Sequence, residues 1–340
     1  MANLDTRPDF ITIPGPDDFH LHLRQGDDLA SFARTVAKSV RRGLIMPNTS
    51  PPIVTVSDLV EYRSRIVAAA PGFMPLMSFK IVESVDAGEV ERLADAGAVA
   101  GKYYPAGVTT NSEDGLDDPK KADAILSVMQ ERDLVLCIHA ENPGGSILER
   151  EAGFHPTIEW IVKRFPKLRV VVEHVSDART VRLVCEMPSN VAATVTVHHL
   201  LLTLDDLLGN GIRPHLYCKP ILKQEHDRNA IQEAVLSGHP RFFFGSDSAP
   251  HGVGAKECAC GAAGVYSAPV AIPLLIEFFE SRDLERLVPF IAHFGADFYG
   301  LPRIEELKRY VRVSQRVPDL VDGVVPLCAG EDLEWKPESG

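Results

Sequence analysis

LVLCIHAENPGGSILEREAGFHPTIEWIVKRFPKLRVVVEH, residues 134–174, decides the fold of this 340-residue chain. Two short apolar runs, 134–139 (LVLCIH) and 169–174 (RVVVEH), flank an amphipathic stretch, PTIEWIVKRFP, bounded by proline at each end. Runs of that length and branching read as buried strands, and the stretch between them as a helix. A strand–helix–strand unit places its strands parallel with a right-handed crossover. Both runs end in a histidine, so the carboxyl end of each strand carries a group with chemistry.

The pattern repeats outward in both directions. Further candidate strands are 17–22 (DDFHLH), 43–46 (GLIM), 74–81 (MPLMSFKI), 98–103 (AVAGKY), 190–197 (NVAATVTV) and 241–246 (RFFFGS). Helix-like stretches lie between them: LASFARTVAKSVRRG, SDLVEYRSRIVAAA, DAGEVERLADAG, DPKKADAILSVMQERD and SDARTVRLVCEMP. Eight parallel units predict a closed (β/α)8 TIM barrel rather than an open sheet. The chain reads as a single barrel domain over 1–340, with 315–340, including Trp335, as a C-terminal extension packed on the barrel. Two connections are long: 104–118, rich in Gly, Thr, Ser and Asp and suited to a lid, and 198–240.

Composition narrows the function. The formal net charge is −12 with no run of Lys or Arg, which argues against a nucleic-acid partner. The start, MANLDTRPDF, has no apolar signal-like segment, and no stretch reaches the 18 or so apolar residues of a membrane span. Six scattered cysteines without a CxxC pair read as reduced thiols. The expectation is a cytoplasmic protein with no membrane partner.

The polar residues sit at strand ends: His20 and His22, Asn48, Lys102, His139, His174, then Asp247 and His251. In a barrel those carboxyl ends surround one mouth, where active sites are built. Within DDFHLHLRQG (17–26), strand alternation puts Asp18, His20, His22 and Arg24 on one face and Phe19, Leu21 and Leu23 on a core face. Four histidines and an aspartate suit Zn²⁺ or a similar divalent ion, but are too many for one catalytic zinc. Two ions need a bridge. Lys102 supplies one if its neutral amine takes up CO₂ as a carbamate, which also removes the problem of a buried ammonium. A hydroxide between two divalent ions is a strong nucleophile at neutral pH. Asp247 is placed to take its proton and pass it to a leaving nitrogen. The reaction class is metal-assisted hydrolysis of an amide or ester. Arg24, whose fork matches a carboxylate, points to a small substrate with a carboxylate of its own, with Asn48 and His251 adding hydrogen bonds. His198 and His199 read as packing groups, and His155, His215, His226, His239 and His293 as ordinary histidines.

HLHLRQG, MPNTSPPIV, GKYYPAG, YPAGVTTNSEDG, IHAE, EHVSD, GIRPHLYCKPILK, GSDSAPHGVGAKECACGAAGVYSAP and FYGLP together resemble the amidohydrolase superfamily. Within it the resemblance is to the homodimeric bacterial dihydroorotase family, over about residues 11–336. It implies two zinc ions: His20, His22 and Asp247 on one, His139 and His174 on the other, and carboxylated Lys102 between them. It implies reversible ring closure of N-carbamoyl-L-aspartate to L-dihydroorotate, the third step of pyrimidine synthesis, in a homodimer. Arg24, Asn48 and His251 match positions that hold the substrate carboxylate. Thr109 and Thr110 match a loop that closes over substrate, and Lys219 and Ala263 fall where backbone groups recognise the ring. The rival reading is another cyclic-amide hydrolase, a hydantoinase or allantoinase. HxHxR, the PN after the second strand and TTNSEDG favour the first.

Overall fold

A computed structural model of the chain describes residues 8–338. After β1 (Phe10–Pro14), eight strands form one sheet: β2 (Asp17–Leu21), β3 (Arg42–Ile45), β4 (Met74–Lys80), β5 (Ala98–Tyr103), β6 (Val135–Ile138), β7 (Val170–Val172), β8 (Val191–Val195) and β9 (Phe242–Phe244). They lie side by side in chain order, every neighbouring pair parallel. The ring closes where the segment after β9 meets β2. Asp247 N donates to His20 O at 2.9 Å and His22 N to Ser248 O at 3.1 Å. This is a TIM barrel.

One principal helix follows each barrel strand: Leu29–Ser39, Val56–Ala69, Ala87–Asp95, Asp123–Glu131, His155–Arg164, Ala178–Glu186, Glu225–Leu236 and Ala271–Glu280. Side chains start several of them. Asp86 accepts from Glu89 N, Asp177 accepts from Arg179 N, and Thr55 and Asp58 form a capping box. Two of these eight helices are absent from the sequence reading. Glu225–Leu236 lies inside the connection 198–240 and buries little apolar surface beyond Ile231 and Val235, so its stripe is faint. Ala271–Glu280 (AIPLLIEFFE) is buried on nearly every side and has no polar face to mark a period.

The interior of the barrel is packed by Phe19, Leu44, Ala100, Val135, Val171, Ala192 and Phe243. A second layer between strands and helices includes Leu21, Leu23, Ile45, Phe79, Ile138 and Val172. The expected alternation in 17–26 therefore fails at one point. Phe19 lies inside the barrel, stacked on Tyr299 at 4.7 Å, while Leu21 and Leu23 lie outside. The cause is a register shift between Asp18 and Leu21 in the pairing of β2 with β3. Gly245 leaves the room this needs: a Cβ there would lie 2.8 Å from Thr194 Cβ and 3.1 Å from His20 Cβ.

β1, β10 (Leu307–Arg316) and β11 (Asp332–Pro337) form a separate antiparallel sheet with β10 in the middle. Trp335 on β11 is fully buried; its indole donates to Glu280 at 3.2 Å, which ties this sheet to the last barrel helix. Among the described residues, no helix is long and apolar enough to cross a membrane.

Candidate active site

The strand ends bring the singled-out residues to one mouth. His20 Nε2 lies 3.2 Å from His22 Nε2 and 3.3 Å from Asp247 Oδ1, and His22 Nε2 is 3.0 Å from the same oxygen. Three donor atoms that close form a group able to hold a metal ion. Beside them, the rings of His139 and His174 stand 4.6 Å apart, with His174 5.1 Å from His20. Lys102 rises from β5 beneath them, wholly buried, and its Nζ has no hydrogen-bond partner. Nδ1 of His174 is buried and unpartnered too. Buried polar atoms are nearly always paired. Unpaired buried nitrogens beside a cluster of imidazoles and a carboxylate fit a set of metal ligands.

Burial sets the protonation states. It pushes the His22 imidazole down to about 4, and it lowers His139, His174 and the Lys102 ammonium as well. Neutral imidazoles and a neutral amine are the forms with a lone pair to give. Burial alone would raise Asp247, but His20 and His22 beside it hold its carboxyl well below the usual carboxylate range.

Backbone strain gathers at the same place. Seven non-glycine residues among those described have φ in the left-handed region, and Arg24 (57°), His174 (43°) and Asp247 (46°) are three of them. Such residues persist where surrounding structure forces them, often at functional sites. At His174 the consequence is direct. Glu173 and His174 are neighbours, and strand alternation would send them to opposite faces. The turn at His174 lets both face inward.

Glu173 is one of the residues the sequence reading missed. It is buried, and its Oε2 accepts from Thr194 Oγ1 at 2.6 Å and lies 2.7 Å from His20 Nδ1. Burial pushes its carboxyl up, but His20 beside it and the hydrogen bonds from His20 and Thr194 hold it low. Glu141 stands likewise behind His139, with Oε2 2.7 Å from Nε2. A carboxylate behind each imidazole fixes its tautomer and ring angle. The letters were in view, in IHAE and EHVSD, but no period marks them.

Above this floor, the cavity is lined by Arg24, Asn48, Tyr104, Thr109, Thr110, Lys219 and Ala263. Lys102 lies beneath the lining. Arg24 is aimed by two contacts: Nε donates to Pro250 O at 3.0 Å, and Nη2 lies 2.8 Å from His251 Nε2. Asn48 holds the lid. Its Nδ2 donates to Thr110 O at 3.0 Å, and its backbone carbonyl accepts from Asn111 Nδ2 at 3.0 Å. From the other side, buried Lys80 donates to Asn111 O at 2.7 Å and to the Asp114 carboxylate. His198 and His199 lie off the cavity with Cys218. His199 is engaged by Thr196 Oγ1 and Pro220 O, both ring nitrogens of His198 are buried and unpartnered, and the two histidines with Cys218 form a second group of donor atoms close enough for a metal ion.

The amidohydrolase family matches residues 11–307. Among curated proteins, the chain is 45% identical to a dihydroorotase of Alkalilimnicola ehrlichii, over 96% of this chain and 98% of that one. Among solved structures, it is similar to the dihydroorotase of Saccharomyces cerevisiae in complex with 5-fluoroorotic acid. The TM-score is 0.92 at 33% identity, covering 97% of this chain and 99% of that one. The Campylobacter jejuni dihydroorotase matches with a TM-score of 0.92 at 34% identity, covering 99% of each chain.

Proposed function

The chain belongs to the amidohydrolase family and, within it, to the dihydroorotases; from that premise we propose that its barrel mouth interconverts N-carbamoyl-L-aspartate and L-dihydroorotate. One observation carries the reading. Six side chains from five separate strand ends converge, and the lysine among them is wholly buried with an unpartnered Nζ.

His20, His22 and Asp247 would hold one divalent ion, and His139 and His174 a second. Lys102 would be shared between them after its neutral amine adds to CO₂, forming an Nζ–C bond and releasing a proton. Zinc suits these nitrogen and oxygen donors. When bound, such ions supply an acidified water and polarise a carbonyl.

The rest is done by the chain. Arg24, already aimed by Pro250 and His251, pairs with the substrate carboxylate. Asn48 and His251 complete that pocket, and backbone groups at Lys219 and Ala263 face the ring. Asp247 turns Oδ1 to His20 and His22, so Oδ2 is its proton carrier. In the hydrolytic direction Asp247 accepts a proton and returns it to the ring nitrogen as the amide bond breaks. In the synthetic direction the same proton moves the other way. Holding carboxylate and ring together supplies orientation, a large part of the barrier in such reactions. Thr109 and Thr110 close the mouth and exclude water. We propose a homodimer as the working form, and a cytoplasmic setting, which suits six unpaired cysteines.

The test is turnover in both directions by zinc-replete protein. Conversion of both compounds supports the reading. Hydrolysis of hydantoin or allantoin with neither compound turned over would overturn it.

A further inference from the structure

Lys256 ends the short helix Val253–Lys256 and is 2% exposed. Its Nζ donates to three backbone carbonyls: Tyr217 O at 2.8 Å, Ala262 O at 2.8 Å and Gly264 O at 2.7 Å. An ammonium has three donors, so these use them all. Taking that charge out of water for neutral carbonyls alone is costly. A methionine would fill the same space without the cost. The lysine is explained by what it holds.

The three carbonyls belong to the two stretches that wall the substrate cavity. Tyr217 stands two residues before Lys219, and Ala262 and Gly264 bracket Ala263; Lys219, Ala263 and Gly264 all line the cavity. Turning the 262 and 264 carbonyls to the ammonium leaves the Ala263 carbonyl facing elsewhere, 3.0 Å from His251 Nε2. A direct tie runs alongside, since Gly264 N donates to the same Tyr217 oxygen at 2.8 Å. Only glycine fits there: φ is +150°, and a Cβ would lie 2.7 Å from Ala249 O. Ala262 N also donates to Ala255 O at 2.8 Å, which anchors the loop to the lysine's own helix. The two walls thus meet at one buried cation and keep one spacing.

We propose that Lys256 is a positioning residue for ring recognition: its ammonium fixes the distance between segments 217–219 and 262–264, and with it the affinity for the substrate ring. The proposal rests on the dihydroorotase reading of the cavity. It touches neither the metal ligands nor the proton carrier, so its effect falls on binding.

The experiment compares zinc-replete wild type, Lys256→Met and Lys256→Gln, with kcat and KM for L-dihydroorotate, zinc content and Tm measured on each. A hydrogen bond to a charged group is worth about tenfold or more in affinity. For Lys256→Met the expected result is a KM raised about tenfold or more, with kcat within about 3-fold and zinc retained. Lys256→Gln keeps two of the donors and is expected to fall between. It carries the test alone if the methionine variant does not fold. An unchanged KM, or a loss confined to kcat and zinc, overturns the proposal. A wild type that leaves dihydroorotate untouched overturns the reading of the site instead.

Discussion

Glu173→Gln isolates the contribution of a carboxylate that touches no substrate. The substitution keeps shape and removes charge. In the native site Oε2 lies 2.7 Å from His20 Nδ1 and accepts from Thr194 at 2.6 Å, with both partners buried. Water therefore screens little of the interaction. A hydrogen bond to a charged group is worth about 1.5–3 kcal/mol and a neutral one about 0.5–1.5 kcal/mol. Glutamine can still accept from Nδ1–H through its amide oxygen, so the loss is the difference, about 1–2 kcal/mol. That converts to about 5–30-fold in metal affinity, in line with the roughly 10–100-fold seen for outer partners of metal-bound histidines. The assay is bound zinc measured across a series of zinc buffers, with Tm as a control for folding. We expect zinc binding to weaken about tenfold and activity to return in excess zinc. Unchanged zinc affinity in a folded variant would refute the argument that Glu173 acts through His20.

Other outcomes follow from the same geometry. Lys102→Ala is expected to lose most activity and regain part of it with small carboxylic acids, checked by turnover with and without acetate. Full activity in that variant without added acid would rule out the carbamate. Thr109→Ala, at the lid, should lower turnover with zinc retained. Lys80→Met, which frees the lid from its anchor, should raise KM about tenfold, the worth of one charge-assisted hydrogen bond, again with zinc retained. Acid should destabilise the metal-stripped protein. Burial lowers His22 and His198 to about 4 and His251 to about 3, so the fold holds them neutral while the unfolded chain protonates below about 6.5. Their contribution is present above about pH 6.5 and is lost as pH falls toward 4. Asp18, raised to about 7 by burial, works in the opposite sense over the same range, so Asp18→Asn should steepen the fall. A Tm that stays level from pH 7 to 5 would contradict this.

What the sequence shows depends on whether a residue obeys a period. His20, Lys102, His139 and His174 were legible because each ends an apolar run, and a barrel sends every strand end to one mouth. Arg24 was legible because it follows two ligands in the same run. Helices with a clear stripe and a cap, such as Val56–Ala69, were legible for the same reason. Ala271–Glu280 was not, since a helix buried all round has no stripe. Glu173 and Glu141 were hidden differently. Each stands within two residues of a predicted ligand, yet a carboxylate behind an imidazole repeats at no interval, and only the folded distances assign it.

The departures from alternation share a cause. A regular strand sends only every second residue inward. This site needs Phe19 to fill the barrel while His20 faces Glu173, and it needs Glu173 and His174 side by side beneath one mouth. Neither arrangement is possible in unbroken strands. The register shift after Asp18 releases the first pair, and left-handed backbone at His174 releases the second. Asp247 makes the same turn after β9, where its N–H also closes the barrel on His20 O. Each left-handed residue costs on the order of 1 kcal/mol or more. Two of the three strained residues at the site, Arg24 and Asp247, flank the closure of β9 on β2, while His174 lies at the end of β7. This also explains why His20 and Asp247, 227 positions apart, share a backbone hydrogen bond as well as a place in the cluster. The seam of the barrel and the floor of the site are one structure, so a change that loosens the seam, such as Gly245→Ala against Thr194 and His20, should cost metal binding before it costs the fold.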